Sequence, residues 1–165
     1  MLALGAGTSV GFGMSSSPVL LGQVLGSVSW QHISVELAAE ASLPTTTRRA
    51  DGAGFSQQHL LASAAACGVR TRWRACLLAN AGAVKMTGQD IDLPTSAVVP
   101  LVEAGVRVGV VQLLGHGFFV EGHADGLANV IRWTGTLDQI PVWTAPRLAA
   151  VLGVNVGIEL GAHVR

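Results

Sequence analysis

Glu121, His123 and Asp125 recur at alternate positions in the run VEGHAD. On a β-strand that spacing puts all three on one face, where a carboxylate could orient an imidazole for acid–base work. No serine or cysteine nucleophile is tied to them by a recognisable motif, and His59 with Ser63 is no more specific. Cys67 and Cys76 bracket the run GVRTRWRA. With Thr71 and Arg72 as a two-residue turn, the two thiols fall directly opposite one another. Opposed cysteines in an antiparallel pair can close a disulfide, here structural rather than redox-active. The remaining polar and ionic candidates are Glu36, Glu40, Arg74, Glu103, Arg107, Arg147, Asn155 and Glu159. They show no metal-ligand spacing, and no cofactor motif accompanies them.

Composition says what kind of element carries these groups. Half of the 165 residues are hydrophobic and 12% are charged, against about 25% charged in ordinary soluble domains. Ten basic and ten acidic side chains cancel. A nucleic-acid binder would show a basic excess or patch, so no nucleic-acid partner is expected. Low charge with high apolar content points to an apolar solvent. A membrane helix needs roughly 18 or more consecutive apolar residues. The best runs, Leu60 to Val69 and Ala97 to Val102, are too short. The other structure that satisfies every backbone group in lipid is a closed β-barrel.

The period of the chain is two. From Leu4 to Met14, Leu4, Ala6, Thr8, Val10, Phe12 and Met14 share one face, and Gly5, Gly7, Ser9, Gly11 and Gly13 the other. After a loop at 15–17, strands over 18–30 and 33–43 join at Gln31-His32. One register sorts them into an apolar face (Trp30 with Ile33, Val28 with Val35) and a polar one (Ser27 with Glu36, Gln23 with Glu40). Strands follow over 55–69, 73–86 and 98–111, then beyond a Gly115-His116-Gly117 turn, and finally over 147–160. In this register Arg107 faces Asp125. Long loops are expected at 44–54, 87–97 and 132–144, and short turns at 31–32, 71–72 and 115–117. The fold class is therefore all-β: an eight-stranded antiparallel up-and-down transmembrane β-barrel formed as a single domain over 1–165. The alternative is that it forms the terminal domain of a longer exported protein.

The competing fold is a soluble β-sandwich or lipocalin-like barrel, which alternates with its apolar face inward. On such a protein the polar face would be rich in Lys, Thr, Glu and Arg. Here it is mostly Gly, Ala and Ser with a thin set of charges, sized for a crowded lumen. The expected lumen network is Glu36, Glu40, Arg74, Glu103, Arg107, Glu121, His123, Asp125, Arg147, Asn155 and Glu159, paired as a plug because buried charges must be. Trp30 and Trp73 beside short turns, and Trp133 and Trp143 in the longest loop, are placed as interfacial aromatics.

The hairpin pattern and strand count resemble the small outer-membrane barrels such as the OmpA transmembrane domain and OmpX. The segments CGVRTRWRACLLANAGAVK and APRLAAVLGVNVGIEL look similar to uncharacterised barrel regions of myxobacterial outer-membrane proteins. The resemblance implies a fold, a bacterial outer-membrane location with both termini periplasmic, and two partners: the lipid bilayer and the outer-membrane insertion machinery. It carries over no catalytic residue. Such barrels often end in an aromatic residue read by that machinery, whereas this chain ends GAHVR. The leading functional expectation is a structural or anchoring barrel with outer loops free to bind, ahead of a lipid-modifying enzyme and of a narrow pore.

Overall fold

In the computed structural model, residues 1–48, 54–89, 96–131, 134–137 and 140–160 are described. Strands form wherever the sequence alternates: β1 Leu2–Phe12, β2 Val19–Trp30, β3 Ile33–Ser42, β4 Thr45–Arg48, β5 Gly54–Arg70, β6 Trp73–Gln89, β7 Ser96–Gly115, β8 Phe118–Asn129, β9 Thr134–Leu137, β10 Ile140–Thr144 and β11 Leu148–Leu160. Each long strand pairs antiparallel with its sequence neighbour, and β1 pairs with β11 from Leu2↔Leu160 to Phe12↔Ala150. β4 continues β3 along the same partner, β5. The result is a closed eight-stranded barrel without an open edge. No helix of the described residues is long and apolar enough to cross a membrane.

The short turns set the register. Gln31 and Thr71, first residues of the β2–β3 and β5–β6 turns, have φ of 36° and 58°. Positive φ at this position matches the turn to the right-handed strand twist. The expected pairs are observed: Trp30↔Ile33, Ser27↔Glu36, Cys67↔Cys76 and Arg107↔Asp125. These turns lie at the same end of the barrel as Leu2 and Leu160.

The burial pattern is inside out. Leu37, Leu60, Leu77, Val106, Leu148 and Val154 point outward and are exposed, while Gln23, Glu36, Glu103, Arg107, Glu121 and Asn155 are enclosed. On β6 the outward residues run from Trp73 to Ala83 with no charge, and Lys85 comes next. At about 3.3 Å per residue and a tilt of roughly 40° that apolar stretch is about 25 Å tall, the height of a lipid-facing band. The soluble-sandwich alternative, with valine and leucine turned inward and charges turned out, does not describe this molecule.

Several boundaries differ from the sequence reading. The first strand ends at Phe12, because Gly13 has φ of 77° and breaks the alternation. Met14 therefore turns inward and is buried over Gly11, not outward. The stretch expected as a loop at 44–54 begins with β4, which pairs with residues 54–57 after a one-residue slip across Leu43–Pro44. The loop at 87–97 is shortened at both ends by β6 and β7. The loop at 132–144 carries the β9–β10 hairpin. Trp133 and the side chain of Trp143 lie outside the described residues.

Candidate functional site

The barrel interior is where the polar residues of alternate strands meet. At its centre Arg107 is 3% exposed. Its Nε and Nη2 donate to Asp125 Oδ1 and Oδ2 at 2.8 and 2.9 Å, and its Nη1 donates to Glu36 Oε1 at 2.6 Å. All three bonds are charge-assisted, and the contact with Asp125 is bidentate. Asp125 is on the adjacent strand, but Glu36 reaches in from β3 on another part of the wall. Arg74 is held more loosely, with Nη1 3.8 Å from Glu36 and 3.6 Å from Glu121.

A second polar group lies beside the first. Gln23 Nε2 donates to Asn155 Oδ1, and Asn155 Nδ2 lies 3.5 Å from His123 Nδ1. His123 is enclosed, and no hydrogen bond joins it to Asp125. The carboxylate that could have oriented it belongs to Arg107 instead. Glu121 shares their face and is committed toward Arg74. The strand motif thus feeds two separate networks rather than one acid–base pair.

Toward the loop end, Asn80 Nδ2 donates to Glu103 at 3.0 Å, and Glu40 and Ser63 are buried nearby. His59 is 1% exposed; its backbone N–H donates to Ser42 Oγ at 2.8 Å, and its ring Nδ1 lies 3.4 Å from the same oxygen. Ser16 Oγ and Thr47 Oγ1, 2.6 Å apart, tie the first loop to β4. Met14 and Ala145 are buried over this end. The cavity left between His59, Glu103 and Asn129 is about 10 Å³, near the minimum for one water molecule.

Most of the anticipated lumen residues are therefore inside. Arg147 is not: it precedes β11 and is exposed at the loop-end rim. Its phase is inward, but it sits beyond the height at which the barrel encloses side chains. Glu159 is half-buried and lines the opposite mouth. Cys67 and Cys76 form a disulfide on the lumen face, 3% and 5% exposed. Trp30 and Trp73 point outward beside the short turns, 59% and 65% exposed.

The apolar part of the interior was the less legible one. Val151, Gln23, Gln57, His59 and Asn80 are buried on the face where alternation places them. Leu21, Leu61, Leu78, Leu101 and Leu127 pack inside with them as an apolar cluster. These leucines lie in the same inward phase, and weight on polar and charged residues hid them.

No family model matches this chain, and no curated protein matches it in sequence. Solved structures match its fold. Neisserial surface protein A superposes with a TM-score of 0.57 at 10% identity, covering 96% of each chain. Ail, the attachment invasion locus protein of Yersinia pestis, gives 0.58 at 9% identity over 95% of each chain. The N-terminal β-barrel domain of Pseudomonas aeruginosa OprF gives 0.51 at 13% identity, covering 94% of this chain and 97% of that one. The chain has the fold of the small eight-stranded outer-membrane β-barrels.

Proposed function

We propose that this chain is a bacterial outer-membrane barrel that anchors its loop end at the cell surface, with a lumen plugged by its own side chains. The observation that carries this reading is the inside-out burial. Leu60, Leu77 and Leu148 are 66%, 71% and 72% exposed, whereas Glu103, Glu121 and Asn155 are at 1% or less. In water that arrangement forfeits the hydrophobic effect. In lipid it satisfies every backbone group and pairs much of the buried charge. Short turns and both barrel termini share one end, as in barrels whose short turns are periplasmic. That supports a periplasmic placement of Leu2 and Leu160 and an outward placement of β4 and the β9–β10 hairpin.

The plug is supported by the Arg107–Glu36–Asp125 cluster across the bore and by the apolar cluster at the loop end. His123 is 6% exposed and lies beside Asn155, and Asp125 is held by Arg107, so no carboxylate activates the imidazole and the anchoring reading is preferred to lipid modification. The test is threefold. The protein should need detergent for extraction, migrate differently on a gel when unheated, and show no ion conductance in a planar bilayer. A chain soluble without detergent overturns the membrane reading, and steady conductance overturns the plug.

A further inference from the structure

The short-turn mouth holds a cavity of about 410 Å³ that the plug does not use, within the range of small-molecule sites. Its wall is apolar at Val69, Val111 and Leu113, and its charged side chains are Arg72, Arg74 and Glu159. Arg72 makes no ion pair among the described residues. Arg74 has a buried Nε–H without a hydrogen-bond partner. Its two carboxylate contacts, at 3.6 and 3.8 Å, are longer than hydrogen bonds. By contrast Arg107, deeper in the barrel, is fully engaged. Glu36 and Glu121, beneath Arg74, do not line the cavity, so its lining side chains carry two cations and one anion.

The geometry points to a binding site for a small amphipathic anion: a phosphate or carboxylate head on Arg72 and Arg74, with a short hydrocarbon tail along Val69, Val111 and Leu113. The guanidinium fork matches such oxyanions in shape and charge. This site adds to the anchoring reading and rests on the barrel being closed, not on what its loops contact.

The experiment uses the full chain in nanodiscs of zwitterionic lipid, followed by amide and Arg Nε–H resonances. Hexyl phosphate is the probe, hexanol the neutral control and hexylammonium the cationic one. Saturable shifts at Thr71, Val111 and Arg74 Nε–H with hexyl phosphate alone are the expected result, weakened at least fivefold in both Arg72→Gln and Arg74→Gln. Should Arg74→Gln fail to fold, Arg72→Gln decides. Equal shifts with hexanol, tighter binding of hexylammonium, or affinity unchanged in the arginine variants overturns the site. Nanodiscs doped with an anionic lipid give the second arm: the same shifts without added probe assign the head to a lipid, and their absence assigns it to a free solute. A chain that needs no detergent fails earlier, before any probe is added, so the two failures are distinct.

Discussion

Arg107 on β7 and Asp125 on β8 are directly opposed across one strand seam, and the guanidinium fork meets both carboxylate oxygens at 2.8 and 2.9 Å. The third contact, to Glu36, comes from β3. One cation therefore links neighbouring strands and crosses the bore. Buried pairs of this kind contribute little against apolar replacements, but breaking one strands its partners. Arg107→Met should cost about 3–5 kcal/mol, because Glu36 and Asp125 are left as uncompensated buried charges. Adding Glu36→Gln and Asp125→Asn should restore most of that loss. Urea unfolding of the single and triple variants in lipid vesicles checks both outcomes. Equal stability of the single variant and the parent would show that the cluster is not enclosed.

Leu77 gives a test of what surrounds the barrel. It lies in the middle of the outward apolar stretch of β6 and is 71% exposed. On a soluble protein an exposed leucine changed to arginine shifts stability by roughly 0.5 kcal/mol or less. At a bilayer midplane the same change costs about 2–4 kcal/mol. Leu77→Arg is expected to show the larger loss, and Lys85→Leu, at the edge of that stretch, almost none. The comparison is made by reversible unfolding from vesicles.

Registers were legible in the sequence because two rules act together. A two-residue turn fixes which residues pair, and alternation then fixes the face of every later one. Trp30↔Ile33 and Cys67↔Cys76 follow from that, whereas Arg107↔Asp125 follows from the three-residue Gly115-His116-Gly117 turn, a register the structure reaches through a bulge between Leu113 and Gly115. What period two does not encode is height along the barrel and distance across it. Arg147 is in inward phase yet lies above the enclosed interior. Arg107 reaches Glu36 across the lumen, a contact between strands that are not neighbours. Met14 escaped because a single positive-φ glycine, Gly13, reverses the phase. The β4 and β9–β10 segments escaped because Thr, Gly and Pro read as loop when strand pairing outside the apolar band decides otherwise.

The disulfide joins Cys67 to Cys76 across the β5–β6 pair, which is hydrogen-bonded from Gly54↔Gln89 to Arg70↔Trp73. Its enclosed segment is short and already closed by the Thr71-Arg72 turn. Loop-entropy arguments give about 2–3 kcal/mol for a loop of this length as an upper figure. Reduction, or Cys67→Ala with Cys76→Ala, should lower the urea midpoint by that amount or less. The barrel should still form, because the register is held along the whole hairpin. Loss of folding on reduction would mean that the turn alone does not set the register.

Gly153 and His123 test whether the lumen is packed solid at mid-height. They are paired residues on β11 and β8. A Cβ at Gly153 would lie 2.4 Å from His123 Cε1, 2.5 Å from Nε2 and 2.9 Å from Ser9 Cβ. The imidazole is a rigid ring, and Asn155 sits beside its other nitrogen, so moving the ring aside disturbs that contact. Gly153→Ala is expected to destabilise by about 1–3 kcal/mol, the usual cost of overpacking. His123→Ala removes the ring and with it the two tightest approaches, so in that background the added methyl should cost much less. The coupling between the two changes is then large and favourable, as for residues that share one space. A double-mutant cycle by urea unfolding in vesicles measures it. Additive losses would mean that the ring and the Gly153 backbone do not meet, and that the bore at this height is wider than the plugged reading allows.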